Sequence, residues 1–194
     1  KGVNLMYEAT ATDLLIDKNG DVTGLQFADS DGLHSVKAKA VILACGGFEA
    51  DPAMRAQYLG PEWELVKVRG SRFNTGDGIK MARRRGAASH GHWSCCHAVA
   101  WDLNAPEFGD PLLTDLYQKH SYPLGVVVNS NGRRFLDEGA DFRNYTYAKY
   151  GREIIKQPGR VAFQIFDSKM KGLLRSEYFI KKVTYSESDS IETV

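Results

Sequence analysis

Between Val126 and Tyr147 the sequence gathers Arg133, Arg134, Asp137, Glu138, Asp141 and Arg143 among Phe135, Phe142, Tyr145 and Tyr147. A guanidinium can clamp a carboxylate through two parallel hydrogen bonds, and it exchanges a proton only where its surroundings are unusual. Arg143, 11 residues after Gly132, is therefore a candidate for proton transfer. A structural ion-pair cluster over an aromatic layer is the other reading. Two glycine-bearing segments offer a second chemistry. "VILACGGFEADPAM" puts Cys45, Gly46 and Gly47 at the end of an apolar run, and "NTGDGIKMA" puts Thr75, Gly76 and Asp77 at a helix start. Backbone N–H groups at a helix start favour anions, and glycine removes the Cβ that would keep a phosphate or ring away. A plain strand-to-helix turn and a simple Asp77 cap are the alternatives.

Cys95 and Cys96 lie near His90, His92 and His97, a set of soft sulfur and imidazole donors that raises the question of zinc. The spacing H-x-H-x-x-C-C-H matches no pattern in which a turn places two ligands on one metal, so no metal site is expected. With three cysteines, two of them adjacent, no disulfide framework is visible and a reducing, cytoplasmic setting is expected. The 25 Lys and Arg against 24 Asp and Glu give a formal charge of +1. No global field therefore recruits nucleic acid or an anionic membrane, and partners must be recognised locally. No run reaches the roughly 18 to 20 apolar residues of a membrane span.

These residues need elements to hold them. Residues 4–16 and 22–28 read as strands joined by the Asn-Gly turn in "DKNGD", and "LHSVKA" as a third. "KAVILACGG" is apolar throughout, as in a strand buried on both faces of an α/β sheet. A helix is predicted after the Asp51 cap with Pro52 at its first position, and another from about Asp77 to Arg85. Residues 98–124 lack a period and read as a loop-rich linker or site wall. "LGVVVNSNGRRFLDE" predicts a strand, an Asn-Gly turn and a return strand, "YTYAKYGREIIKQ" a helix, "VAFQIFDSKM" a strand and "GLLRSEYFIKK" a helix.

"KAVILACGGFEADPAM", "NTGDGIKMARRRGA" and "LGVVVNSNGRRFLDEGADFRN", in that order, resemble the FAD-dependent flavoprotein family of fumarate reductases, succinate dehydrogenases, ketosteroid dehydrogenases and aspartate oxidases. Within it, "RRFLDEGADFRNYTYAKYGREI" followed by "VAFQIFD" is most similar to the tricarballylate dehydrogenases. The resemblance implies an α/β and α+β fragment. Residues 1–104 would be the later part of a Rossmann-like FAD-binding domain, with a β-meander and a sheet strand, and 105–194 the first part of an α+β capping domain. The family's opening G-x-G-x-x-G does not occur in these residues, so the chain by itself is expected to bind FAD weakly or not at all and to be inactive.

The resemblance also assigns residues. The backbone near Ala11 would meet the adenine; Cys45, Gly46 and Gly47 would form the turn beside the cofactor; Thr75, Gly76 and Asp77 the loop under the flavin. His97, with His92 as rival, would bind a substrate carboxylate. Arg143 would carry the proton while hydride passes between the adjacent carbon and the flavin. Family reductases have a Glu-x-x-Arg relay before the strand "VVVN", where this chain reads "LYQKHSYPLG"; Tyr117 and His120 are placed there as substrate-binding residues, with His120 as a substitute relay and Glu138 and Asp141 as carboxylate helpers. The implied reaction is oxidation of tricarballylate to cis-aconitate, with a membrane-associated electron-transfer partner reoxidising the flavin. A fumarate reductase-like or ketosteroid dehydrogenase-like enzyme, or a non-catalytic docking module, are the alternatives.

Overall fold

The computed structural model describes residues 2–190 and 192. Its first unit is an antiparallel meander of β1 (Thr10–Ile16), β2 (Val22–Asp29) and β3 (Gly32–Lys37), in that spatial order. The Asp17 carboxylate accepts from the N–H groups of Asn19 and Asp21 at 2.8 and 3.0 Å and so closes the first turn. β1 starts six residues later than the apolar pattern suggests. Its ladder ends at the Thr10–Ala28 pair, because β2 stops at Asp29 and turns at once into β3, and Glu8, at φ 53°, bends the preceding chain out of the extended region.

The apolar run "KAVILACGG" is not a strand here, which corrects the expectation. Ile42 and Leu43 are 89% and 38% exposed, and no described segment offers the run a ladder. Apolar composition favours a buried strand, but a strand exists only through its partners' hydrogen bonds. Only the end of the run is held, where the Gly76 N–H donates to the Gly47 carbonyl at 2.9 Å.

α1 (Pro52–Leu59) begins as its sequence predicts, with Asp51 Oδ1 accepting from the Met54 N–H at 3.0 Å and Pro52 in the first turn. α2 (Asp77–Arg84) docks its C-terminal end on the meander: Arg85 pairs with Asp13 at 2.5 Å, and Arg84 donates to the Thr12 carbonyl at 2.9 Å. Residues 98–124 are largely irregular, with one isolated bridge between Trp101 and Gln118.

The second sheet pairs β4 (Val126–Asn129) with β5 (Ala162–Ile165), antiparallel. The Asn131–Gly132 turn forms, with the Gly132 N–H donating to the Asn129 carbonyl at 2.9 Å. The expected return strand "RRFLDE" shrinks to one bridge, Val128 to Arg134. The reason is Glu138. Its buried carboxylate takes the Val127 N–H at 2.6 Å, which a return strand would need, and holds Arg134 at 2.5 Å.

α3 (Arg143–Ile155) covers this sheet, and Tyr122, Val127 and Tyr150 form the core between them, with Phe135, Leu136, Tyr147 and Ala162 packed around. The helix expected over "GLLRSEYFIKK" is replaced by short 3-10 turns, Ser168–Leu173 and Ser176–Tyr178. Leu174 and Arg175 between them are extended, because the Arg175 N–H donates to Ser121 Oγ at 3.1 Å instead of to a helical carbonyl.

Candidate functional site

Two clusters gather most of the residues that the sequence singles out. The first is made of backbone. The chain at 46–50 and the loop at 74–76 are stitched by the Gly76 N–H on the Gly47 carbonyl and the Ala50 N–H on the Asn74 carbonyl, both 2.9 Å. Gly46 and Gly76 have φ of 74° and 78°, the left-handed region that favours glycine. A Cβ on Gly46 would lie 2.8 Å from Asn74 Oδ1, and one on Gly76 2.6 Å from Met54 Sδ and 3.1 Å from Phe48 Cβ. Gly76 is thus pinned both by conformation and by space.

Cys45 backs this loop: its Sγ would be 3.2 Å from a Cβ on Gly78, so α2 starts against the thiol. Asp77 is not the cap. Gly76 occupies the cap position, and the Asp77 carboxylate instead accepts from Thr75 Oγ1 at 2.7 Å. Among the described residues the N–H groups of Gly46, Gly47 and Phe48 donate to nothing. A cradle of close-packed glycines with unused backbone donors fits a cofactor rich in acceptor oxygens. Ala11 lies elsewhere, on β1 beside the Thr12 and Asp13 contacts of Arg84 and Arg85, at the other end of α2. That helix of eight residues puts about 12 Å between its ends.

The second cluster is made of side chains from three segments. Arg143, Tyr147 and Gly151 recur every four residues on α3 and so share one face. A Cβ on Gly151 would lie 2.6 Å from the Ala98 carbonyl carbon, and its own N–H donates to the Ala98 carbonyl at 3.0 Å. The bare helix surface lets residues 97–99 dock there, which sets the His97 ring edge-on to Tyr147 at 5.0 Å. From the other side Tyr122 ties residues 120–124 to the first turn of α3: its hydroxyl lies 2.5 Å from Thr146 Oγ1 and 3.3 Å from the Arg143 carbonyl. His120 thereby meets Tyr147, ring centroids 4.7 Å apart, and its Nδ1 lies 3.3 Å from an Arg143 guanidinium nitrogen. The guanidinium also sits 5.6 Å from the centre of the Tyr147 ring.

The electrostatics favour neutral imidazoles. His120 is only 4% exposed; burial, then the Arg143 charge, pushes its pKa down to about 4. Partial burial and Arg69 also lower His97. His120 Nε2 is buried with no hydrogen-bond partner.

Other expectations are corrected. Glu138 cannot assist Arg143, being committed to Arg134 and Val127. Burial alone would raise its pKa, but those hydrogen bonds outweigh it and hold the carboxyl low. Asp141 accepts from the Phe142 N–H at 2.6 Å. Of the aromatics around Arg143, Phe142 and Tyr145 are 79% and 75% exposed, and Tyr147 packs inward. Tyr117 is buried against Trp101, centroids 5.9 Å apart. His92 turns to Ser94 Oγ at 3.0 Å, so of the rivals His92 and His97 it is His97 that reaches the cluster.

Sequence reading missed Arg55, a helix residue that is 6% exposed and donates to the carbonyls of Glu49, Trp63 and Glu64 at 2.5 to 2.8 Å. It fixes the chain leaving the first glycine loop. It also missed Gly151, although a glycine inside a helical pattern is a signal of close approach. A cleft of about 1660 Å³ is lined by Gly47 and Phe48 of the first cluster and His97 of the second, with Cys95 and Cys96 beside it. Arg143 and His120 stand outside its wall.

Residues 1–183 match the family described as FAD binding domain, and the chain belongs to that family. FAD is the cofactor this membership assigns. Among its relatives, 3-oxosteroid 1-dehydrogenase of Mycobacterium tuberculosis (strain ATCC 25618 / H37Rv) is 32% identical over 184 residues, covering 88% of this chain and 31% of the relative. The probable fumarate reductase Ifc3 of Shewanella frigidimarina (strain NCIMB 400) is 26% identical over 171 residues, covering 88% and 27%. The open conformation of a flavocytochrome c3 fumarate reductase superposes with a TM-score of 0.61 at 25% identity, covering 85% of this chain and 27% of that one. The chain thus spans about a third or less of these relatives' length, and they are oxidoreductases.

Proposed function

We propose that this chain is part of an FAD-dependent oxidoreductase that exchanges hydride and proton across a CH–CH bond of a polycarboxylate, with tricarballylate as the substrate and cis-aconitate as the product. Residues 1–104 contribute to holding FAD and residues 105–194 to capping the substrate. Gly46, Gly47, Thr75, Gly76 and Asp77 are the residues of this chain that would hold the cofactor, with Ala11 toward its far end. Bound FAD supplies the acceptor for the hydride.

The observation that carries the reading is Arg143 itself. It is held at the start of α3 with no carboxylate among the described residues in an ion pair with it. An uncompensated guanidinium attracts a substrate carboxylate and stands ready to exchange a proton with the carbon next to the one that exchanges hydride. His97, on the same aromatic ring, adds a second polar contact. Three exposed, unpaired thiols suit a reducing, cytoplasmic compartment, and an electron-transfer partner at the membrane would reoxidise the flavin.

A second reading rests on Phe142 and Tyr145, whose exposed rings flank Arg143 and would suit a flat ring ketone of the kind named in the oxosteroid relatives. Anaerobic titration of the FAD-loaded full-length protein separates the two. Bleaching of the flavin band by tricarballylate and not by a 3-oxosteroid supports the first reading. The opposite pattern supports the second, and no bleaching by either removes both.

A further inference from the structure

We infer that His120 is a positioning residue that fixes the Arg143 guanidinium as a neutral acceptor, outside the proton path. The inference rests on the reading that Arg143 carries the proton. Arginine has five N–H donors and no acceptor, so in the 3.3 Å contact between them the imidazole Nδ1 must accept. The neutral ring then carries its proton on Nε2. That nitrogen is buried and has no acceptor among the described residues, so a proton taken up by His120 would have nowhere to go next. A relay needs an acceptor on each side; this ring has a partner on one side only.

The surroundings also oppose a second proton. Arg143 and Tyr147 face the ring from α3, Glu177 from the 3-10 turn at Ser176–Tyr178, Arg175 from the extended link before it, and Arg69 from the loop after α1. Of these the one carboxylate, Glu177, is engaged by Arg175 at 2.9 Å. Three cations and one committed carboxylate disfavour imidazolium. A neutral acceptor does what a carboxylate cannot: it holds the guanidinium against the Tyr147 face without cancelling its charge. The charge stays available for an anionic substrate.

The test uses the FAD-loaded full-length protein, labelled with 15N-histidine. The His120 resonances should show the Nε2–H tautomer, and Arg143→Gln should raise the His120 pKa, because a nearby cation is gone. An Nδ1–H tautomer, or a pKa indifferent to Arg143→Gln, would overturn the inference. In turnover, His120→Leu should lower kcat by about 100-fold, the scale of a misplaced reacting group, with FAD content kept. His120→Asn, whose Oδ1 can still accept from Arg143, should recover most of that loss. Equal kcat for the Leu, Asn and parent proteins, or an Asn variant as poor as Leu, would count against positioning. The tautomer and pKa measurements do not depend on turnover. If Arg143→Gln retains normal turnover, the proton-transfer reading fails while the His120–Arg143 contact is still decided by the spectra.

Discussion

The glycine cradle and the α3 cluster are built in opposite ways. At 45–47 and 74–78 the surface is main chain, and side chains matter chiefly by being absent. Around Arg143 the main chain is scaffolding, and three separate segments each deliver a side chain: Arg143 and Tyr147 from α3, His120 from the loop before β4, His97 from the loop docked on Gly151. A backbone site tolerates changes of chemistry and rejects volume. A side-chain site does the reverse, except where a glycine admits a neighbouring segment.

That contrast can be probed by substitution. Gly76→Val should be the most damaging of the structural changes, because it forces a branched residue to φ 78° and crowds Met54 and Phe48; about 3 to 5 kcal/mol is expected. In the full-length protein this should appear as lost FAD stoichiometry and a lower Tm. A Gly76→Val protein with normal FAD content would show that the cradle is not built as described.

The side-chain cluster should respond to pH where the cradle does not. His120 has its folded pKa lowered to about 4 from an ordinary 6.5, so the unfolded chain binds the proton first. Its contribution is fully present above about pH 6.5 and is lost as pH falls toward 4, by up to about 3 kcal/mol. Urea midpoints measured between pH 7 and 4 should show this limb, and it should vanish in His120→Asn.

Gly151→Ala offers a reversal of sign. In an exposed helix interior the change stabilises by about 1 kcal/mol. Here the new methyl meets the Ala98–Val99 backbone at 2.6 to 2.9 Å, and a loss of about 1 to 3 kcal/mol is expected. Asp51→Ala should cost least, about 1 kcal/mol for the cap, with the Lys80 contact at 2.6 Å lost as well. Thermal melts of each variant measure both.

The two glycine loops were legible in the sequence as turns leading into helices, but their meeting, with the Gly76 N–H on the Gly47 carbonyl, was not. α1 and the meander were legible from turn and cap residues, and α2 and α3 were legible as helices, although Asp77 proved not to be the cap of α2. The strand expected over "KAVILACGG" does not form, since a strand's hydrogen bonds depend on partners that no local pattern encodes. The return strand after Gly132 failed because Glu138, read as an aid to Arg143, spends its carboxylate on the Val127 N–H. His120 was legible as a neighbour of Arg143 only through family resemblance; its burial and its bare Nε2 arise from the way Tyr122 pins residues 120–124 to α3.

Arg143 as the proton-transfer residue is tested by Arg143→Lys in the full-length, FAD-loaded protein, read as the rate of anaerobic flavin reduction by tricarballylate together with FAD content. Lysine keeps the charge but cannot reproduce the planar fork that meets His120 and Tyr147. The expected result is a fall in rate of about 100-fold or more with FAD content unchanged. A near-normal rate with full FAD occupancy would contradict it and remove Arg143 from the chemistry.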